Sequence, residues 1–214
     1  SLSGTWTAIK TGLESAKEPC FETFTARMIW ASTSNVDVPQ RWDGSAGTTS
    51  DLGASAPNFA FHVKHKNLLF AAGVAANPSR LYFSDTLDPT TWTGGASGSI
   101  DVDPDDGDRI VALRSHKNEL LVFKGPNRLS IHRITGSSPT GSDAFARVPF
   151  IAGVGGINHN GLFAINDDLV FPSPRGIHSL AATAAFGDYV EAFLARPILS
   201  HYQDSLNHSV LNAN

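Results

Sequence analysis

The sequence predicts an all-β chain made of β-propeller-like blades of antiparallel strands, a partial or fragmentary propeller, with one C-terminal helix. Three observations predict it. Nineteen glycines and twelve prolines, with many Ser, Thr, Asn and Asp residues, are spread through the 214 positions instead of forming one linker; such residues punctuate a chain into many turns and short elements. A hydrophobic share of 41% against 17% charged is that of a globular chain with a packed core. An apolar-turn-apolar unit also recurs at about the 40- to 50-residue period of propeller blades.

From the N terminus, Ala26-Arg27-Met28-Ile29-Trp30, a polar loop from Ser32 to Asp37 and Gln40-Arg41-Trp42-Asp43-Gly44 read as the remnant of a first unit. Phe59 to Phe70 reads as strand, turn and strand about His65-Lys66-Asn67, and Ile110 to Phe123 repeats it about His116-Lys117-Asn118, displaced by 51 positions. A Gly/Pro/Asn loop follows each, Gly73 to Pro78 and Gly125-Pro126-Asn127, before a third strand that opens on Arg-Leu: Arg80-Leu81-Tyr82-Phe83 and Arg128-Leu129-Ser130-Ile131. A looser copy runs from Gly161 to Phe171, its turn 49 positions after the second, then a Pro172/Pro174/Gly176 turn and Ile177-His178-Ser179-Leu180. Beyond Pro197, Ile198, Tyr202, Leu206 and Val210 recur every four positions, joined by Leu199, which predicts one amphipathic helix. Its polar face has no Lys or Arg, so its apolar stripe is expected on the sheets and not on a membrane. The chain thus divides into a propeller-like β domain, 1–196, and a helical segment, 197–214. It starts without Met and stops at Asn214 in mid-pattern, so a processed product or a fragment of something longer is expected.

Charge and cysteine content narrow the function. Sixteen basic against twenty acidic side chains give a formal charge of -4, the opposite of a phosphate-gripping surface. Cys20 is the only cysteine, which leaves no internal disulfide and no cysteine-based zinc cage. No stretch approaches the roughly 18 apolar residues that span a bilayer, so a soluble chain without a membrane span is expected.

The sharpest local feature is the acidic run Asp101-Val102-Asp103-Pro104-Asp105-Asp106-Gly107-Asp108. Alternating carboxylates on a loop converge on hard cations such as Ca²⁺, which makes Asp101, Asp103, Asp105, Asp106 and Asp108 the one speculative metal set. The run falls short of an EF-hand: its glycine is one place late and Ala112 stands where the closing Glu belongs. A solvated turn between Ile100 and Ile110 is the plainer reading, and no metal or other cofactor is assigned. Ser84-Asp85-Thr86-Leu87-Asp88-Pro89-Thr90-Thr91-Trp92 is similar to the aspartate box of sialidase-type propellers but lacks the glycine of that turn. A box is structural, and Tyr82, Tyr189 and Tyr202 stand at core or helix positions unsuited to a sialidase nucleophile. Gly153-Val154-Gly155-Gly156-Ile157 reads as a strand connector, because Asn158 breaks the dinucleotide fingerprint. The eight histidines are scattered singly, His62 and His65 being the nearest pair, and Trp6, Trp30, Trp42 and Trp92 read as wedges between sheets rather than sugar platforms. No G-x-S-x-G, H-E-x-x-H or P-loop occurs, and no catalytic residue is assigned.

The order of motifs resembles phage-encoded propeller proteins of short-tailed phage virions, the tail nozzle or hub proteins through which the genome leaves the particle. The resemblance covers about residues 26 to 180. It rests on Arg41-Trp42-Asp43-Gly44, His65-Lys66-Asn67-Leu68-Leu69-Phe70, Arg80-Leu81-Tyr82-Phe83-Ser84-Asp85 with Asp88-Pro89 and Trp92, Gly107-Asp108-Arg109-Ile110 with Leu113, Leu121-Val122-Phe123-Lys124, and Gly176-Ile177-His178-Ser179-Leu180. It implies a structural virion protein without an enzymatic step, assembled in the host cytoplasm as a six-fold homo-oligomeric ring. Such a ring joins portal or adaptor and tail fibre or spike proteins, and DNA passes through it without specific binding. The alternatives are a carbohydrate-binding propeller module and a glycoside hydrolase of propeller fold.

Overall fold

The computed structural model describes residues 7–34, 36–45, 47–186, 197 and 199–205. Four antiparallel sheets follow one another along the chain, arranged like the blades of a four-blade β-propeller. Blade 1 holds β1 (Pro19–Phe24), β2 (Arg27–Ser32), β3 (Gln40–Trp42) and β4 (Ser50–Asp51). Blade 2 holds β5 (Phe61–His65), β6 (Leu68–Ala72), β7 (Arg80–Phe83) and β8 (Gly98–Asp101). Blade 3 holds β9 (Arg109–His116), β10 (Glu119–Gly125), β11 (Ser130–Thr135) and β12 (Ala146–Ala152). Blade 4 holds β13 (Phe163–Ile165), β14 (Asp168–Ser173) and β15 (Gly176–Ser179). Within each blade the strands pair in chain order, so every blade is a meander.

The recurring His-Lys-Asn triplet is a turn geometry. Lys66 and Asn67 have φ of 45° and 63°, and Lys117 and Asn118 have 47° and 63°. With His65 opposite Leu68 and His116 opposite Glu119, each is a two-residue hairpin loop with both central residues left-handed. That is the type I′ turn, whose twist suits adjoining strands. Blade 1 turns the same way at Thr25 and Ala26, φ 47° and 59°. Neither residue signals such a turn, and β1 before it was not read from the sequence. β11 starts two residues later than the Arg-Leu motif, because the backbone N–H groups of Asn127, Arg128 and Leu129 are taken by the Asp108 carboxylate and are unavailable to a ladder.

The second strands of blades 2 and 3 are buried on both faces and serve two interfaces. Leu68, Phe70 and Ala72 of β6 enter the cluster between blades 2 and 3, while Leu69 and Ala71 enter the one between blades 1 and 2. In β10, Leu120 and Val122 join blade 2 while Leu121 and Phe123 join blade 4. This is the period of 2 of a strand with two dry faces. β9 needs a correction to that period. Its register against β10 slips between Phe123, opposite Ala112, and Lys124, opposite Ile110. The bulge at Val111 turns Ile110 and Leu113 into one interface and Val111 and Ala112 into the other.

Two helices complete the described residues. α1 (Leu180–Phe186) continues from β15, where the sequence reading had the strand running on to Leu180. Ser179 caps it by accepting from the N–H of Ala182 at 3.2 Å, and Asp168 accepts from that of Ala181 at 3.0 Å. α2 (Leu199–Ser205) lies within the expected C-terminal helix, and the Tyr202 hydroxyl donates to the Ser173 carbonyl at 2.8 Å. Ile198, Leu206 and Val210 of that expected stripe lie outside the described residues. No helix among the described residues is long and apolar enough to cross a membrane.

The turn geometry makes a test. Asn118→Gly removes a Cβ from a left-handed position and is expected to hold or raise the urea unfolding free energy by about 0.5–1 kcal/mol. Asn118→Val, with a β-branched side chain forced left-handed, is expected to lower it by about 1–2 kcal/mol. Equal effects of the two substitutions would remove the turn assignment.

Candidate functional site

The meanders run in the same sense, so the starts of the first strands of blades 1 to 3, the loops after their second strands and the link into blade 4 gather at one end of the blades. There they enclose a pocket of about 830 Å³. Glu18 and Cys20 reach it from blade 1, Phe61 from blade 2, Arg109 from blade 3, and His159 and Asn160 from the link into blade 4. Residues of blades 1 to 3 and of the link into blade 4 meet in it, and of its lining only Asp105 and Asp108 were named as site candidates from the sequence, in the speculative metal set. The Asn160 amide donates to Glu18 Oε2 at 3.4 Å and to the Pro19 carbonyl at 3.5 Å, bridging blade 4 to blade 1.

His159 opens a single 3₁₀ turn, His159–Gly161. Its Nδ1 accepts from the Leu113 N–H at 3.2 Å, which leaves the ring proton on Nε2. The ring stacks on Phe61, centroids 5.1 Å apart, and burial lowers its pKa to about 4. His159 is therefore neutral at pH 7. The buried Cys20 thiol donates to the His62 carbonyl at 3.6 Å, and burial pushes it up to about 11, so it stays protonated and is a poor nucleophile. Thr33 Oγ1 accepts from the Glu18 N–H, and Ser79 Oγ donates to the Asp108 carbonyl. The pocket offers hydrogen bonds and an apolar wall.

The acidic run borders this pocket, and its carboxylates diverge. Asp101 takes a forked pair of bonds from Arg80, 2.6 and 3.1 Å. Asp103 meets Arg147 at 2.7 Å. Asp105 is exposed, with φ of 66°. Asp108 is buried and accepts from three successive N–H groups, Asn127 at 2.6, Arg128 at 2.9 and Leu129 at 2.8 Å. Asp106 Oδ1 accepts from Lys124 Nζ at 2.7 Å. Lys124 is fully buried, and its ammonium also donates to the Val102 and Asp103 carbonyls, both at 2.7 Å. Two carbonyls and a carboxylate around one positive charge is the donor set of a small cation site, and here a lysine fills it. Among the described residues no three His, Cys, Asp or Glu side chains are grouped to hold a metal ion. The sequence signal for this arrangement was a lysine closing the apolar run Leu121-Val122-Phe123, where a solvated side chain has no place.

The other motifs are structural in their geometry. The aspartate-box-like turn joins β7 to β8. Asp88 accepts from the Thr90 N–H and from both threonine hydroxyls, and Trp92 Nε1 donates to the Pro89 carbonyl at 2.8 Å. The buried Trp92 indole packs on Phe59, centroids 5.3 Å apart, between blades 1 and 2. Trp30 is buried and Trp42 half-buried, while Trp6 lies outside the described residues, as does Tyr189. In the glycine run, a Cβ on Gly155 would stand 2.1 Å from the Lys124 carbonyl oxygen; the glycine is there for close backbone approach. His62 and His65 both belong to β5, but they diverge: His62 Nε2 donates to the Ile29 carbonyl and His65 Nδ1 meets Ser115 Oγ. The sequence matches no family model and no curated protein.

Two outcomes are expected. Lys124→Met leaves two buried carbonyls and the Asp106 carboxylate without their donor and should lower the unfolding free energy by about 3–5 kcal/mol. Because the ammonium holds the cation position, neither Ca²⁺ nor a chelator should move the thermal midpoint of the wild-type chain; a rise with Ca²⁺ would contradict this geometry.

A further outcome concerns acid. Burial holds His62 at about 3 and His65 and His178 at about 4, below the ordinary 6.5. The unfolded chain therefore takes up protons before the folded one. Stability from these groups is complete above about pH 6.5, declines as pH falls from there, and levels off only below about 4 for His65 and His178 and below about 3 for His62. Asp101, held below the usual carboxylate range by its bonds from Arg80, adds a loss with the same sign at lower pH. Urea midpoints at pH 7.5, 5.5 and 4 should fall in that order, and a midpoint flat across the window would remove the assignment of buried neutral imidazoles.

Proposed function

We propose that the chain is a structural component of a phage virion, a propeller-type tail nozzle or hub that assembles as a homo-oligomeric ring and lets DNA pass during ejection. The observation that carries this reading is where the resembling motifs fall in the fold. His65-Lys66-Asn67 forms the first turn of blade 2, Arg80-Leu81-Tyr82-Phe83 is β7, and Gly176-Ile177-His178-Ser179 is β15. Gly107-Asp108-Arg109-Ile110 enters β9 and Leu121-Val122-Phe123-Lys124 ends β10 at the buried ammonium. The shared pattern is thus the skeleton of successive blades and not a reacting group.

Surface character supports the same reading. Phe21 on β1 is 59% exposed, and Phe163 and Ile165 on β13 are 60% and 53% exposed. Phe21 lies opposite Trp30, on the face of blade 1 turned away from blade 2, and Phe163 lies opposite Val170, on the face of blade 4 turned away from blade 3. Apolar faces of this kind belong to proteins held in assemblies, and a contact that joins unlike faces of successive copies closes into rings. The alternating charges on the blades make internal pairs, as Arg80–Asp101, Arg133–Glu119 and Arg147–Asp103 do, which suits a wall that DNA slides past.

Mass spectrometry of purified virions and native mass spectrometry of the isolated chain test the reading. The chain is expected among the tail proteins and as a closed homo-oligomer that Phe163→Asp splits into smaller species. A strictly monomeric chain missing from virions would overturn it.

A further inference from the structure

In blade 1 a notch of about 210 Å³ is lined by Arg27, Arg41, Trp42, Asp43, Thr48 and Ser50. Its two arginines share a sheet face: Arg27 is two residues from Ile29, Arg41 lies opposite Ile29, and Ser50 lies opposite Arg41. Diagonal neighbours in a sheet are within reach of long side chains, so the two guanidiniums and the Ser50 hydroxyl converge on one volume. Both arginines are half-buried. Neither makes an ion pair or a side-chain hydrogen bond with a described residue, although acidic side chains outnumber basic ones and Arg80, Arg133 and Arg147 each find a carboxylate.

The nearby carboxylates are otherwise engaged. Asp88 is close enough to Arg27 to feel its charge, yet its oxygens accept from Thr90 and Thr91. Asp43, which lines the notch, accepts from the N–H and hydroxyl of Ser45. Two like charges held side by side repel, and an oxyanion between them reverses that sign while matching the fork of each guanidinium.

We infer that the Arg27–Arg41 notch is a binding site for a tetrahedral oxyanion of the phosphate or sulfate class, held by the two guanidiniums with hydroxyl donors from Thr48 and Ser50. A dianion matches the two positive charges, and the notch holds one such ion with a few waters. Trp42 also borders the notch, but the register sets its side chain on the opposite sheet face, so the ligand contacts are polar.

Binding is measured on the full chain by ³¹P NMR line broadening and by thermal shift, titrating sodium phosphate and sodium sulfate against sodium chloride at constant ionic strength and pH 7.5. Phosphate and sulfate are expected to raise the midpoint saturably in the millimolar range, with acetate at least about tenfold weaker. Arg41→Lys keeps the charge but loses the fork and should weaken binding about tenfold, Arg27→Gln and Arg41→Gln should abolish it, and Arg128→Gln, on an exposed loop, should leave it unchanged. Should the glutamine variants fail to fold, Arg41→Lys decides by the same NMR titration. Phenyl phosphate binding more tightly than inorganic phosphate assigns a phosphate ester as the source, and equal binding assigns the free ion. Phosphate acting no more strongly than chloride, or acting equally on wild type and Arg41→Lys, would overturn the site.

Discussion

A strand buried on both faces has to divide its side chains between two interfaces, and β6 and β10 carry that constraint for the whole molecule. Leu68 and Phe70 face one neighbour while Leu69 and Ala71 face the other, and Leu120 and Val122 stand back to back with Leu121 and Phe123. Removing one such side chain leaves a cavity in a closed layer, at about 2–5 kcal/mol, whereas an exposed pair such as Arg80–Asp101 is screened by water and contributes little. Blade succession therefore rests on alternation in the second strands. The bulge in β9 follows from it: without that extra residue, Ile110 and Leu113 would face opposite interfaces, and one of two adjacent cores would lose an anchor.

Apolar layers resist separation but set orientation weakly, since Leu against Phe tolerates sliding. Polar groups supply the register between blades 2 and 3. The segment after β8 is tied to β10 by the Lys124 ammonium, to the β10–β11 turn by Asp108, and to the β6–β7 loop through Ser79. Lys66 Nζ reaches the Gly136 carbonyl at 2.7 Å and His65 meets Ser115 at 2.9 Å, both across the same interface. Burying an ammonium is unfavourable by several kcal/mol unless its protons are all accepted. Lys124 has three acceptors at 2.7 Å, so any slip of the linker leaves a buried charge short of partners. The penalty for misplacement, more than the attraction itself, fixes the linker.

What was legible in the sequence was whatever repeats locally. The His-Lys-Asn turns, the Arg-Leu third strand at β7 and the apolar second strands announce themselves, because turn chemistry and a period of 2 are written in neighbouring residues. Cys20 to Phe24 passes unnoticed because half of β1 is exposed and its turn is Thr25-Ala26, which lacks Asn or Gly. α1 hides for another reason: Leu-Ala-Ala-Thr-Ala-Ala has no apolar stripe, and its cap depends on Asp168 from a strand twelve residues before it. The pocket and the Lys124 contacts join residues distant in the chain, such as Glu18 with Asn160, and no local pattern encodes them. The acidic run was visible as charge, but the cation that answers it was a lysine sixteen residues past the last Asp, in another strand.

This internal use of charge bears on the proposed role. Where carboxylates, ammonium and guanidinium groups are paired within the blades, the remaining surface is free to act through shape and apolar contact, and the apolar residues left exposed on β1 and β13 lie on the first and last blades of the series. A chain whose inner interfaces are blade on blade can extend the same packing outward to another copy without a new kind of contact.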